Sequence, residues 1–131
     1  MVRDFHAAFG HPIADGPTML SPQRVACRSN WMAEEVEEFR QARTVEDQAD
    51  AMVDLLYFAL GTLVELGVEA EPLFHIVQRA NMAKLWPDGR PRFHADGKVL
   101  KPPDWINPAA VLRAEIARQA GAASASTAST R

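Results

Sequence analysis

The chain has 131 residues, 47% of them hydrophobic, which is enough apolar material for one core and too little length for two ordinary domains. A formal net charge of −3 excludes the broad basic surface of a nonspecific nucleic-acid binder. A single cysteine excludes an internal disulfide, and interrupted apolar runs predict a cytoplasmic protein without a membrane span.

The start signals of the first two helices are clear. Residues 2–9 favour a short helix. Ser21 then precedes Pro22, and this pair marks a helix start, because serine accepts a free amide bond and proline at the first helical position loses no useful donor. We therefore expect a long helix from Pro22 to about Ala42.

A second long helix begins with the capping-box pattern of Thr44 and Asp47. Residues 52–66 (MVDLLYFALGTLVEL) are apolar on nearly every face, which predicts a central helix surrounded by other helices. Asp54 is the conspicuous exception, since a buried carboxylate must be paired or metal-bound. Gly67 is expected to end this helix.

The third helix and the loop after it have their own signals. Pro72 suits a first helical turn, and the apolar stripe after it predicts a helix that reaches Lys84. Residues 86–108 are rich in proline and turn signals, so they predict a long loop with a small hairpin around Asp96-Gly97.

The last part of the chain is expected to be a short helix over residues 109–119, followed by a tail. We expect one domain over residues 1–120 and a disordered Ala/Ser/Thr-rich tail over residues 121–131. The predicted fold class is all-α, a compact antiparallel helical bundle with a long C-terminal loop, completed by oligomerisation.

Carboxylates gather on both long helices. Glu34, Glu35 and Glu38 lie on one face of the first, and Asp50 and Asp54 lie one turn apart on the second. The short connection makes the two helices antiparallel neighbours, so the clusters are able to face each other. Such a cluster favours Mg²⁺, which prefers carboxylate and water oxygens. For the glutamates, a solvated acidic face stays open as the alternative.

A basic interval follows the third helix. Its polar donors are Arg79, Asn81, Lys84, Arg90, Arg92, Lys98 and Lys101. They are able to neutralise phosphates, although composition alone favours ordinary solubilising charge because no glycine-rich phosphate loop accompanies them.

Four blocks of this sequence resemble the MazG-like, phosphoribosyl-ATP pyrophosphohydrolase-like family of all-α enzymes. The blocks are EEVEEF at 34–39, DAMVDLLYFALGTLVELGVE at 50–69, RANMAKL at 79–85 and DGKVLKPPDW at 96–105. The resemblance implies Mg²⁺-dependent hydrolysis, with Mn²⁺ as a substitute, of a nucleoside triphosphate, preferably a dNTP. The products would be the monophosphate and pyrophosphate.

The resemblance also implies a set of metal-binding and catalytic carboxylates. By motif these are Glu34, Glu35, Glu38 and Asp54. The family pattern has a further glutamate three residues before Asp54, where this chain has Ala51. Asp50 is the neighbouring carboxylate that is expected to substitute for it as a metal ligand.

For the substrate, the resemblance implies that Asn81 and Lys84 bind the phosphates and that Lys98 and Lys101 close over the nucleotide. Tyr57, Trp31, Phe5 or another aromatic residue is expected to contact the base. The family is commonly dimeric or tetrameric, so a homodimer or homotetramer is expected, with no nucleic-acid or membrane partner.

Two other functions stay open. One is phosphoribosyl-ATP hydrolysis in histidine synthesis, which a panel of substrates distinguishes. The other is a noncatalytic helical interaction module with an acidic face, which the departure at Ala51 supports. That module would fold correctly and release no pyrophosphate.

Overall fold

The computed structural model of the protein describes residues 1–128, with side chains through residue 125. Its elements are α1 (Val2–Phe9), α2 (Pro22–Gln41), α3 (Val45–Glu65), α4 (Ala70–Met82), β1 (Arg92–Phe93), β2 (Val99–Leu100) and α5 (Ala109–Ala128). The two strands are two residues long and form one antiparallel pair. The predicted all-α fold class is therefore confirmed.

Both long helices start at the predicted caps. The Ser21 hydroxyl accepts a hydrogen bond from the Arg24 amide at 3.2 Å, and the Thr44 hydroxyl accepts one from the Asp47 amide at 3.1 Å. Each bond satisfies one of the amides that have no partner inside the first turn of a helix.

Gly67 follows the end of α3, as predicted, and its backbone is left-handed, with φ of 65°. A Cβ atom at this position would also collide with the backbone carbonyl of Gly16. The same approach lets the Thr18 amide donate to the Leu66 carbonyl at 2.9 Å. Glycine is thus required here for two separate reasons.

The prediction that α3 is surrounded by other helices is wrong for the single chain. Val53 is 59% exposed and Leu56 is 58% exposed, whereas Ala51 and Gly61 are buried. Within the described residues, α3 packs mainly on α1 and α2, and the face that carries Val53 and Leu56 stays exposed.

Helix α5 is longer than predicted. It continues from Ala109 to Ala128, well past the expected end at Gln119. Alanine has the highest helix propensity, and no proline stops the helix, so the small residues after Gly121 extend it. Part of the predicted tail is therefore helical, and residues 129–131 lie outside the described residues.

The chain forms two compact units. The first comprises Met1–Glu69 together with the chain from Gln119 onward, and the second comprises Ala70–Arg118. The predicted domain boundary at residue 120 stays a prediction.

Among the described residues, no single helix is long and apolar enough to cross a membrane, although α3 and α4 taken together reach that length and composition.

Candidate active site

Helices α2 and α3 pack antiparallel in a register that several side-chain contacts define. Arg24 meets Glu65 at one end, the Arg28 Nε atom donates to the Thr62 hydroxyl at 3.0 Å, and the Trp31 ring lies 5.7 Å from the Phe58 ring. The seven residues from Arg24 to Trp31 on α2 match the seven residues from Glu65 back to Phe58 on α3. Continued by one more turn, this register brings Glu35 opposite Asp54.

A buried carboxylate fixes the first of these contacts. The Glu65 side chain is fully buried and accepts two hydrogen bonds from Arg24, at 2.6 and 2.7 Å, while a second guanidinium, of Arg28, lies 3.4 Å away. Arg28, itself 3% exposed, also donates to the Phe58 carbonyl. Three side chains thus hold the two helices together.

The charges of this network keep Glu65 ionised. Burial by itself raises the pKa of the Glu65 carboxyl, but the hydrogen bonds and charge of Arg24, with the charges of Arg28 and His6, outweigh burial. The resulting pKa lies below the ordinary value of a glutamate. The pair is therefore charged at neutral pH.

The acidic cluster lies on the same two helices. The pKa of Glu35 is raised, first by partial burial and then by the negative charges of Glu38, Asp54, Asp50 and Glu34. Carboxylates from both helices therefore act on one group, as expected from the sequence. The argument that Asp54 is buried is wrong, because Asp54 is exposed in the single chain.

Ala51 is the buried residue of this region, with 3% exposure, whereas Asp50 is exposed. By the α2–α3 register, Ala51 lies opposite Glu38. The small side chain of Ala51 therefore occupies the packed contact between the helices, and the carboxylate of Asp50 lies at the exposed position before it. This packing gives a physical reason for alanine where the family pattern has glutamate.

The donor set suits a hard divalent cation. Exposed or half-exposed carboxylate oxygens are what Mg²⁺ prefers, and the cluster's mutual repulsion, seen in the raised pKa of Glu35, is relieved by a cation. Within the described residues, no three His, Cys, Asp or Glu side chains are already grouped closely enough to hold a metal ion. The Mg²⁺ site stays a prediction.

An aromatic cavity of about 230 Å³ lies one helical turn from the carboxylates. Its lining residues are Phe5, His6, His11, Arg28, Trp31, Tyr57 and Phe58. Tyr57 follows Asp54 by three residues on α3, and Trp31 precedes Glu35 by four on α2. The cavity includes all three aromatic residues that the sequence named for base contact.

His6 and His11 line this cavity without any sequence signal that separates them from surface histidines. His6 is 2% exposed, and its Nδ1 atom lies 2.9 Å from the Pro12 carbonyl, which indicates an Nδ1–H donor. The His11 ring stacks on Phe5 at 5.8 Å. Only the fold of α1 against α3 brings these rings together.

The predicted phosphate-binding residues lie in the second unit. The Lys84 ammonium donates to the Asn81 amide oxygen at 2.7 Å, and Lys84 and Lys101 both lie near the Trp105 ring, at 6.0 and 4.1 Å from its centroid. Lys98 belongs to the hairpin turn, where its amide donates to Asp96 at 3.0 Å. Two of the four predicted residues, Lys84 and Lys101, therefore lie at one tryptophan, and Asn81 contacts Lys84.

Sequence reasoning missed the residues that organise these groups. Glu65 stands in the same apolar helix as Asp54, and the argument that a carboxylate there needs a partner applies to Glu65 instead. Trp105 ends the last matching block of the sequence, but nothing in its local pattern indicates contact with two lysines.

These features define an all-α protein whose acidic residues meet across two antiparallel helices beside an aromatic cavity. The sequence model of the family described as "Phosphoribosyl-ATP pyrophosphohydrolase" matches residues 2–81. The chain belongs to that family, and it is a pyrophosphohydrolase. Its resemblance to the MazG-like group is thereby confirmed.

Solved structures agree with this assignment. Among 24 matching chains is a candidate NTP pyrophosphohydrolase from Exiguobacterium sp. 255-15, with 38% sequence identity and a TM-score of 0.52. The match covers 90% of this chain and 92% of that one. No curated protein matches the chain.

Proposed function

We propose that the protein hydrolyses a nucleoside triphosphate, preferably a dNTP, to the monophosphate and pyrophosphate, and that the reaction depends on Mg²⁺. The observation that carries the proposal is the register of α2 against α3, which brings Glu35 opposite Asp54, in a chain of a pyrophosphohydrolase family. Control or cleansing of the nucleotide pool in the cytoplasm is the role that fits this reaction.

The residues that would hold Mg²⁺ are Glu34, Glu35, Glu38, Asp50 and Asp54, and Mn²⁺ would occupy the same oxygen ligands. When bound, the cation neutralises triphosphate charge and polarises the phosphate oxygens. Because Asp54 and Asp50 come from α3 and the glutamates from α2, the packing of the two helices sets the spacing of the ligands.

The proposed reaction is attack of water on phosphorus, with a glutamate of α2 as the proton acceptor. A water oxygen forms a bond to phosphorus while the bridging P–O bond breaks, so pyrophosphate and the monophosphate separate. One of Glu34, Glu35 or Glu38 accepts the proton of the attacking water.

The aromatic cavity would take the base. Stacking of a base on an aromatic ring contributes about 1–3 kcal/mol and tolerates every base, because each has a π face. Tyr57, Trp31 and Phe5 supply such rings one turn from the carboxylates, so a base in the cavity would direct its phosphates along α2 and α3. Asn81, Lys84, Lys98 and Lys101 would bind phosphate oxygens.

A homodimer or homotetramer is part of this proposal. Large apolar side chains on α2 and α3 are open to solvent in the single chain, including Val36 at 45%, Val53 at 59% and Leu56 at 58%. Apolar area of this kind is stabilised by burial against another copy. Light scattering on the eluted protein would give the mass, and a monomer would contradict this part.

Phosphoribosyl-ATP is the second candidate substrate, because the matching family is described by that activity. Its reaction breaks the same type of bond and releases pyrophosphate, so the carboxylates would serve it equally.

The deciding experiment measures pyrophosphate release from a panel of NTPs, dNTPs and phosphoribosyl-ATP, each with Mg²⁺ and with EDTA. We expect release from at least one dNTP, with Mg²⁺ only. Release from phosphoribosyl-ATP alone would replace the proposed substrate, and equal rates in EDTA would refute the metal requirement. Glu38→Gln, which keeps the side-chain shape, should abolish release while the helical circular dichroism is retained.

A further inference from the structure

The Trp105 side chain lies at the meeting point of two lysines that are distant in sequence. Lys101 is four residues before it, and Lys84 is twenty-one residues before it, just past the end of α4. Both ammonium groups lie within 6.0 Å of the ring centroid. This is the distance at which a cation is attracted to an aromatic ring.

Two hydrogen bonds, one from the side chain and one from the backbone, hold Trp105 in place. Its Nε1–H donates to the Ala80 carbonyl at 2.7 Å, in the last turn of α4, and its own amide donates to the Pro102 carbonyl at 3.0 Å. Pro102 is buried. The indole therefore joins the end of α4 to the loop that carries Lys101, so its orientation does not depend on the lysines.

We infer that Trp105 is a positioning residue that holds Lys84 and Lys101 together as one site for a polyphosphate chain. The inference rests on the proposed function, since it concerns how the same substrate is bound. Two ammonium groups on long flexible side chains lose rotamer entropy when they bind one anion. A ring that attracts both reduces that loss before the anion arrives.

The arrangement distinguishes these lysines from ordinary surface charge. The Lys84 ammonium also donates to the Asn81 side-chain oxygen at 2.7 Å, which limits its motion further. Among the ion pairs of the described residues, neither lysine has a carboxylate partner within salt-bridge distance. Among the described residues, both ammonium groups are therefore without an acidic partner.

The test measures binding of inorganic tripolyphosphate to the full chain by titration calorimetry, in EDTA so that no metal contributes. We expect Trp105→Leu to weaken binding about two- to fivefold, the effect of losing an exposed cation–π contact. Trp86→Leu is the matched control, because it removes another half-buried indole, with Arg92 stacked at 4.5 Å, and should leave the affinity unchanged.

A double-mutant comparison separates positioning from general structure. If Trp105 acts through the two lysines, Trp105→Leu should have little further effect in a background with both Lys84→Gln and Lys101→Gln. In turnover of the NTP, Trp105→Leu should raise KM by the same factor and leave kcat unchanged, as expected for an interaction made before the transition state. Additive losses, or equal losses in Trp86→Leu, would overturn the inference.

A second measurement leaves Trp105 in place, in case its replacement prevents folding. In a variant with Trp31→Phe and Trp86→Phe, the emission of the remaining Trp105 should change when tripolyphosphate binds the two ammonium groups beside the ring. The change should be lost with Lys101→Gln. Unchanged emission at saturating tripolyphosphate, or no binding by the unaltered protein, would refute the site. Failure of the proposed function would appear separately, as absence of pyrophosphate release.

Discussion

Replacement of Glu65 by glutamine tests the buried ion pair between α2 and α3. The change keeps the size of the side chain and removes its charge, so Arg24 and Arg28 lose their shared counterion. Arg28 is 4% exposed at its side chain, so water cannot compensate it. Removal of one partner from a buried pair costs about 3–5 kcal/mol, which corresponds to a fall in Tm of about 10–20 °C in a domain of this size.

The assay is urea unfolding followed by far-ultraviolet circular dichroism, with thermal unfolding beside it. Glu37→Gln is the matched control, because Glu37 pairs with Arg40 at 3.7 Å on the exposed face of α2. The control should lose no more than about 0.5 kcal/mol. A loss of less than about 1 kcal/mol in Glu65→Gln, with an unchanged urea dependence, would refute the reasoning, since it lies outside the range for an uncompensated buried charge.

The remaining predictions concern the pH dependence at Glu65 and substitutions on α3 and at the glycine that follows it. The pKa of Glu65 is lower in the folded protein than in the unfolded chain, so its ion pair stabilises the fold at neutral pH and stops doing so as the pH falls through the folded pKa. The free energies of unfolding of wild type and Glu65→Gln, measured in urea, should therefore converge in acid. A difference that stays constant with pH would contradict this. Asp54→Asn should lower pyrophosphate release about 100-fold or more while the protein stays folded, and full activity would remove Asp54 from the essential site. Asp50→Ala should raise the Mg²⁺ concentration for half-maximal activity about tenfold. Ala51→Glu should destabilise the fold by about 3 kcal/mol or more, because position 51 is buried. An active and stable Ala51→Glu protein would contradict the packing argument for alanine at this position. Gly67→Ala should cost at least about 1–2 kcal/mol in urea unfolding, because alanine is strained at a positive φ, and an unchanged midpoint would contradict the tight turn.

Local signals predicted the helix starts well because each depends on a few neighbouring atoms. Ser21 and Thr44 accept amide hydrogen bonds three residues ahead, and Gly67 follows the end of α3. The end of α5 was not predictable in the same way. It has no stop residue, and composition alone does not distinguish an alanine-rich helix from a mobile tail.

Helix periodicity and family motifs predicted which carboxylates belong to the candidate site, and their metal-binding and catalytic roles stay predictions. Carboxylates on two helices were expected to act on one another, and the raised pKa of Glu35 agrees. The burial assigned to Asp54 was wrong, because periodicity cannot tell which face of an apolar helix is covered within one chain. The burial of Glu65 and the contacts of Trp105 depend on packing between distant segments, which the sequence does not encode locally.

The ion pairs around Glu65 also affect the electrostatic potential in the aromatic cavity. Two guanidinium groups share one carboxylate, and they lie 5.1 and 5.3 Å from the centroid of the Trp31 ring. Within this network of two guanidinium groups and one carboxylate, one positive charge is therefore left over beside the aromatic cavity, which Arg28 lines. A ligand with a cationic ring would be repelled there, whereas a neutral ring with carbonyl oxygens would be attracted. The ion pairs that join α2 and α3 thus also favour a neutral ligand ring over a cationic one in the cavity.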